Sequence, residues 1–157
     1  FSKIMAIPDE VQEYVEKQEI NSKAEIQLGT EHILLVDDEE AILSMEKQML
    51  ERLGYQITSC YSSVEALEAF RANPDKFDIV ITDMAMPNIP GDRLSVELNK
   101  IRPDIPILLC TGFSESMSEE KAASLGIKGF LLKPIVMKNF SKKINEILDT
   151  NKTEEKN

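Results

Sequence analysis

Short apolar runs alternate with amphipathic stretches over most of the chain. Five of the runs have the length of a buried strand, and they lie at residues 33–36, 55–60, 79–81, 105–110 and 130–132. Each is followed by a stretch with apolar residues at helical spacing. Strands that alternate with amphipathic helices predict a parallel sheet covered on both faces. Because such crossovers are right-handed, we expect a doubly wound α/β sandwich of five βα units.

The predicted helices have recognisable ends and core-facing residues. Gly54 is suited to end the first helix, and Ser62 with Glu65 forms a capping-box signature for the second. Ser116 is predicted to cap the fourth helix. The residues predicted to face the core from the first helix are Ile42, Met45, Met49 and Leu53. Those of the third and fifth helices are Leu94, Leu98, Ile101, Phe140, Ile144, Ile147 and Leu148.

The two ends of the chain differ from its middle. Residues 1–30 are rich in charge and carry only a thin apolar stripe, so we interpret them as a linker. Residues 31–150 hold the strand and helix pattern of one domain, and residues 151–157 form a polar tail that we expect to be frayed. The chain begins with Phe1 rather than Met, as expected for a fragment of a longer protein.

Composition and charge exclude several classes of function. The net charge is −10 and no basic stripe interrupts it, so direct nucleic-acid binding is not expected. No apolar run approaches the roughly 18 residues of a membrane span, and no direct membrane contact is expected. Cys60 and Cys110 both close apolar runs and are interpreted as buried thiols, which favours a reducing cytoplasm.

Polar residues follow four of the five predicted strands. Asp37 and Asp38 follow the first strand, Asp83 the third, Thr111 the fourth and Lys133 the fifth. In a sheet of this kind, ligands bind outside the carboxyl ends of the strands. Because these ends lie at one edge, we expect the five side chains to converge in a single site.

Three carboxylates at one edge need positive charge beside them. Two like charges about 4 Å apart cost on the order of 4 kcal/mol at an effective dielectric constant near 20. Lys133 supplies one positive charge, and it could also neutralise an oxygen of a phosphoryl group. Hard carboxylate oxygens with room for water favour Mg²⁺ as the remaining cation. The three aspartates would then be balanced, which suits a site that receives a phosphoryl group.

Phosphoryl transfer depends on positioning and charge neutralisation, and the candidate residues can be assigned on that basis. Asp83 is the predicted nucleophile, because a carboxylate can form an acyl phosphate. Asp38 would bind Mg²⁺ directly and Asp37 through a water molecule. The Thr111 hydroxyl would donate a hydrogen bond to a phosphoryl oxygen, and Gly112 leaves room for the incoming group.

With these residues in place, the chain resembles the response-regulator receiver family over about residues 31–150. The matching positions, in chain order, are Asp37-Asp38, Asp83-Met84-Ala85-Met86-Pro87, Gly91, Thr111-Gly112 and Lys133-Pro134. The resemblance implies a flavodoxin-like strand order of 2-1-3-4-5 and Asp83 as the phosphoacceptor. It also implies a third Mg²⁺ ligand from the backbone carbonyl of Ala85 and a cis peptide before Pro134, which an X-Pro bond tolerates.

The same resemblance implies a conformational switch. Phe130 stands where the family carries a switch aromatic, and it would rotate inward as Thr111 moves toward the phosphoryl group. The face made by the fourth helix, the fifth strand and the fifth helix would then change, and this face is also a candidate homodimer surface. Ala85 and Phe113 stand where the family often has polar residues. Neither can orient a hydrolytic water, so we expect a long-lived acyl phosphate.

The resemblance also implies a signalling context. The donor would be a phosphohistidine of a histidine kinase or of a histidine-containing transfer domain, and the receiver would catalyse only its own phosphorylation and dephosphorylation. Residues 1–8 are similar to the last strand of a histidine-kinase ATP-binding domain, and residues 29–40 to the start of the C-terminal receiver of hybrid sensor kinases. We therefore expect a hybrid histidine kinase as the parent, which is compatible with a membrane anchor elsewhere. A stand-alone regulator is the alternative.

Three other functions fit the same elements less well. A flavodoxin-type electron carrier would need hydroxyls and amides in its first loop, whereas residues 37–40 are all acidic and would repel a flavin phosphate. An aspartyl phosphatase of the haloacid dehalogenase type has two aspartates spaced two apart after the first strand, whereas here the pair is adjacent. A degenerate receiver used only for interaction would have lost key positions, and here all of them are filled.

Overall fold

The computed structural model describes residues 26–112 and 117–156, with side chains described as far as residue 151. The first 25 residues of the predicted linker, the predicted cap Ser116 and the predicted site neighbour Phe113 lie outside this part of the chain. Among the described helices, none combines the length and the apolar character that crossing a bilayer requires.

Five parallel strands form one sheet. They are β1 (His32–Val36), β2 (Gln56–Cys60), β3 (Ile79–Asp83), β4 (Ile107–Thr111) and β5 (Gly129–Leu132). Their order is β2-β1-β3-β4-β5, which confirms the predicted flavodoxin-like arrangement. Strand β4 begins after Pro106 rather than at Ile105 as predicted, because proline has no N–H to donate to the ladder.

Five α-helices complete the domain. They are α1 (Glu40–Arg52), α2 (Ser63–Ala72), α3 (Gly91–Ile101), α4 (Glu119–Ser124) and α5 (Met137–Lys156), and a 3-10 turn, Pro74–Lys76, precedes β3. Helix α5 continues through residues 151–156, so the expected frayed tail is helical up to that point. Lysine and glutamate are good helix formers and no glycine or proline interrupts this segment, so an established helix extends into it.

The sheet has one apolar core on each face. Ile33 and Leu35 of β1 pack with α1 and α5, whereas Leu34 and Val36 pack with α2, α3 and α4. The other central strands, β3 and β4, alternate in the same way and are buried throughout. A sheet buried on both faces explains why these strands are continuous apolar runs in the sequence. Cys60 and Cys110 are free and buried, as predicted.

The buried face of α1 differs from the predicted one. The buried residues of the helix are Leu43, Glu46 and Leu50. Of the predicted face, Leu53 just beyond the helix end is 1% exposed, but Met45 is 43% exposed. The prediction was correct for Met49, which packs against the core, and for Leu53, but it was wrong for Met45. The reason is that a glutamate at position 46 interrupts the apolar stripe that the two leucines would otherwise show. The pattern therefore favoured the neighbouring stripe, about 100° away around the helix.

The predicted helix starts are partly correct. The Ser62 hydroxyl accepts a hydrogen bond from the N–H of Glu65 at 3.1 Å and caps α2. Helix α4 is capped by Ser118, whose hydroxyl accepts from the N–H three residues later at 3.1 Å. The prediction of Ser116 as this cap was wrong, because both serines suit a cap and only the backbone path selects one. Gly54 has a positive φ of 101° after the end of α1, which glycine adopts without strain.

The residues just before β1 pack onto the domain, and we call residues 26–30 the strap. The Ser141 hydroxyl of α5 accepts from the Gln27 N–H at 2.9 Å and donates to the Gln27 carbonyl at 2.9 Å. The Gly29 N–H donates to the carbonyl at the C-terminal end of α1 at 2.9 Å. Ile26 packs against the core between α1 and α5. Contacts with the folded domain therefore extend into the predicted linker.

Candidate functional site

The predicted site residues lie at the carboxyl edge of the sheet. Asp83 and Thr111 are the last residues of β3 and β4. Asp37 directly follows β1, and its N–H donates to the Cys60 carbonyl of β2 at 3.2 Å. Lys133 directly follows β5, and its N–H donates to the Thr111 carbonyl at 2.7 Å. Parallel pairing in register therefore delivers each side chain to the same edge.

Strand alternation divides the site residues between two sides. Asp83 continues the positions of Ile79 and Ile81, which face α1 and α5. By the same alternation Thr111 continues the positions of Ile107 and Leu109, which face α2, α3 and α4. The acidic residue and the hydroxyl therefore approach the edge from opposite faces, and a group bound to Asp83 has to extend across the edge to reach Thr111.

The Lys133 side chain bridges two of the aspartates. Its ammonium nitrogen lies 2.6 Å from Oδ1 of Asp83 and 3.6 Å from Oδ2 of Asp37. Burial lowers the pKa of the ammonium, but the hydrogen bond to Asp83 and the charges of Asp83 and Asp37 outweigh it and raise the pKa overall. Lys133 is therefore a permanent cation in the physiological range.

Asp37, Asp38 and Asp83 form a carboxylate cluster. One oxygen from each lies within 4.8 Å of the others. Asp37 is 1% exposed and Asp83 is 5% exposed. Oδ1 of Asp37 accepts from the N–H of Glu39 at 2.9 Å, whereas Oδ2 is buried without a hydrogen bond from the described residues. Buried hard oxygen donors with spare acceptor capacity fit a small divalent cation such as Mg²⁺.

The loop after β3 is held close to the carboxylates. The Met84 N–H donates to the Cys110 carbonyl at 2.9 Å, and the Met84 carbonyl accepts from Gly91 at 2.8 Å. A Cβ on Gly91 would overlap the Asp83 carbonyl oxygen, so this approach requires glycine. Ala85 lies in the loop with its side chain exposed.

Thr111 is positioned by β4 and is 1% exposed. Its hydroxyl oxygen is buried and has no hydrogen-bond partner among the described residues. Buried hydroxyls normally have a partner, so this one is suited to a group that arrives later. Among the described residues, no atom lies within 4 Å of a Cβ placed on the next residue, Gly112.

Two further predicted residues lie on β5 and in the segment that follows it. The Lys133–Pro134 peptide bond is cis. Phe130 is partly buried against the core shared with α3 and α4, and it lines a cleft of about 500 Å³. In the register of β4 and β5 it pairs with Leu109, on the same side as Thr111.

His32 lies at the opposite end of β1, where its Nε2 is 2.8 Å from the Thr58 hydroxyl.

The sequence prediction missed Glu46. This residue is 2% exposed on the core side of α1, and Oε2 has no hydrogen-bond partner among the described residues. Burial raises the pKa of its carboxyl to about 7, with a further increase from the charge of Asp37. A charged residue between Leu43 and Leu50, at helical spacing, was the signal that could have revealed it.

A family profile and relatives of known identity match this chain. The profile described as the response regulator receiver domain matches residues 33–145. The sensor kinase CckA of Brucella abortus is 33% identical over 121 residues, which cover 77% of this chain and 13% of the kinase. The two-component response regulator ARR10 of Arabidopsis thaliana is 33% identical over 119 residues, 76% of this chain and 21% of that protein. The chain thus spans less than a quarter of either relative.

A solved structure has the same fold. The crystal structure of a response regulator receiver domain protein from Clostridium thermocellum superposes with a TM-score of 0.74 at 33% sequence identity. The match covers 78% of this chain and 98% of that one. The aligned part is therefore a nearly complete domain of that structure.

Proposed function

This chain belongs to the response regulator receiver family of two-component signalling, and on that premise we propose that it accepts a phosphoryl group from a phosphohistidine onto Asp83. The observation that carries the proposal is the position of the Lys133 ammonium between the Asp83 and Asp37 carboxylates, 2.6 Å and 3.6 Å away. A permanent cation at this distance can neutralise charge on an incoming phosphoryl group without a change of protonation.

In the proposed transfer, one carboxylate oxygen of Asp83 attacks the phosphorus atom of the donor. A C–O–P bond forms, the P–N bond to the histidine breaks, and the bonding electrons return to the imidazole nitrogen. The ammonium of Lys133 and the hydroxyl of Thr111 are the donors available for the phosphoryl oxygens. Such a transfer depends on positioning and charge neutralisation rather than on a separate base.

The carboxylate cluster is proposed to hold Mg²⁺. Asp38 and Asp83 would be direct carboxylate ligands, Asp37 would act through water, and the backbone carbonyl of Ala85 would complete the protein ligands. When bound, the cation supplies the positive charge that Lys133 alone does not provide against three carboxylates.

Phosphorylation is proposed to change the face made by α4, β5 and α5. The Thr111 hydroxyl has no hydrogen-bond partner among the described residues, and it would move to a phosphoryl oxygen. Phe130 is on the same side of the sheet and borders an open cleft, so its ring could follow that movement. The changed surface would engage a downstream protein or a second copy of the chain.

The parent protein is proposed to be a hybrid histidine kinase, with this domain in the cytoplasm. The similarity of 121 residues to part of a sensor kinase supports this origin. A stand-alone regulator is the alternative, because the match covers 98% of the receiver domain protein chain from Clostridium thermocellum. A histidine in the parent kinase would be the donor, and a histidine-containing transfer domain could be the next acceptor.

The proposal is tested with acetyl phosphate and Mg²⁺, by mass spectrometry of the intact chain. The wild type should gain one phosphoryl group that is lost in alkali, and Asp83→Asn should gain none. The matched control is Asp104→Asn, which removes an exposed carboxylate and should leave labelling unchanged. Labelling of Asp83→Asn at the wild-type level would reject Asp83. Steady turnover of a generic phosphatase substrate would favour the phosphatase alternative instead.

A further inference from the structure

Glu46 is a buried carboxyl group that phosphoryl transfer as proposed above does not use. It lies between Leu43 and Leu50 on the core side of α1, and Oε2 has no hydrogen-bond partner among the described residues. Burying a polar group without a partner destabilises a fold, and burying a charge does so more. An apolar residue of similar size would fill the position without that cost, so the carboxyl needs a physical explanation.

The surroundings of Glu46 connect it to the carboxylate cluster. The titratable groups that act on it or respond to it are Asp37 after β1, Asp83 of β3, Lys133 after β5 and the Cys110 thiol of β4. Glu46 also lines a cleft of about 320 Å³ between α1 and the segment after β5, together with Lys133. Helix α1 therefore places a fourth acidic group beside the site, on the same face as Asp83.

The charge balance of the site changes when this group is counted. In the proposed site, the charges of Asp37, Asp38 and Asp83 would be balanced by a divalent cation and Lys133. An ionised Glu46 adds one negative charge and increases the attraction of the site for a cation, and a neutral Glu46 does not. Because the pKa of Glu46 is about 7, both forms are populated near neutral pH.

We propose that Glu46 is a positioning residue for the divalent cation, which strengthens cation binding through the field it adds to Asp37 and Asp83 while remaining outside the ligand set. This inference rests on the proposed function, because it requires Mg²⁺ to bind the aspartates. It goes beyond that function in making cation affinity depend on a residue of α1 that touches neither the cation nor the phosphoryl group.

The test is calorimetric titration of the full chain with Mg²⁺ alone, at about pH 6 and about pH 8.5. Glu46→Gln keeps the size of the side chain and removes its charge. Its Mg²⁺ dissociation constant should be about fivefold higher than that of the wild type at the higher pH, and equal to it at the lower pH. Glu51→Gln removes an exposed carboxylate from the same helix and should match the wild type at both. Glu46→Asp should retain most of the wild-type pH dependence.

Each other outcome has a definite meaning. Equal affinities of Glu46→Gln and wild type at both pH values overturn the inference. An equal loss at both pH values also overturns it, because that result indicates a packing effect. A wild type that does not bind Mg²⁺ rejects the proposed function as well.

If Glu46→Gln does not fold, titration of the wild type in two buffers of different ionisation enthalpy replaces it. Proton release on Mg²⁺ binding near pH 7 supports the inference, and its absence overturns it.

Discussion

The ammonium nitrogen of Lys133 lies 2.6 Å from Oδ1 of Asp83, across the carboxyl edge of three neighbouring strands. This pair joins residues from β3 and from the segment after β5, which are not adjacent in the sheet. The ion pair therefore connects β3 with the segment after β5, across β4, and it also belongs to the proposed phosphoacceptor site. Its removal should affect both stability and chemistry.

Lys133→Met should destabilise the domain by about 2 kcal/mol in the absence of Mg²⁺, because Asp83 and Asp37 lose their nearest cation while buried. The figure is below that of a fully buried pair, since the lysine side chain is 27% exposed. Urea unfolding monitored by circular dichroism measures the difference. Lys143→Met removes a lysine from a more exposed pair with Glu146 and should cost much less. Equal losses of stability in Lys133→Met and Lys143→Met would contradict a stabilising ion pair between Lys133 and Asp83.

Because the pKa of the buried Glu46 carboxyl is raised, we expect the free energy of unfolding in Mg²⁺-free buffer to depend on pH. This pKa is about 7 in the folded chain against an ordinary value of 4.5, so the folded state keeps the proton where the unfolded state has lost it. The contribution to stability is full below about pH 4.5 and is lost as the pH rises through about 7, with a total of about 3 kcal/mol. Glu46→Gln should lack this loss and be more stable than the wild type at about pH 8. Parallel stability profiles of the two proteins would contradict the shifted pKa.

Thr111→Val should separate stability from function. The wild-type hydroxyl is buried without a partner among the described residues, so an apolar side chain of the same shape should stabilise the domain by about 1 kcal/mol. Phosphorylation by acetyl phosphate should slow at least several-fold, because a donor to the phosphoryl group is lost. Thr82→Val is the matched control, since that buried hydroxyl donates to the Asp83 carbonyl at 3.1 Å and its loss should destabilise. Destabilisation by both substitutions would contradict an unsatisfied hydroxyl at position 111.

Ser141→Ala tests whether the strap belongs to the folded domain. The Ser141 hydroxyl makes both of its hydrogen bonds to Gln27, and its removal should cost about 1–2 kcal/mol. Hydrogen exchange at the Gln27 amide should rise with it. Ser124→Ala removes an exposed hydroxyl that bonds only within α4, and it should have little effect. Unchanged exchange in Ser141→Ala would place the start of the domain after the strap, at residue 31 as the sequence suggested.

Because residue 85 is an alanine, we expect the acyl phosphate proposed on Asp83 to be hydrolysed slowly. The Ala85 side chain is exposed beside the site and carries no group that could orient a water molecule. Ala85→Asn should shorten the lifetime of the acyl phosphate several-fold, as measured by the decay of the phosphorylated mass after removal of the donor. A wild-type half-life of seconds would contradict the prediction.

Local pattern determined most of the architecture. Central strands buried on both faces must be continuous apolar runs, and each run here is followed by an amphipathic helix, so the parallel doubly wound sheet could be predicted. The same topology requires residues that directly follow the strands to meet at one edge, and it brought Asp37, Asp83 and Lys133 together as predicted. These features depend only on period, order and strand direction, which are local or topological properties.

Tertiary structure alone decided which face of α1 is buried, which serine caps α4 and how far the domain extends before β1. Each depends on free energies of packing that a local pattern does not contain. Ser118 is selected by the backbone path, and the strap is held by Ser141, far away in sequence. Glu46 is the clearest case, because the sequence offers only its helical spacing from Leu43 and Leu50, whereas its place near Asp37 and Lys133 depends on the packing of α1 on the sheet. From the sequence alone, a charged residue is predicted to be exposed. Its pKa depends on the surroundings that only the folded structure provides.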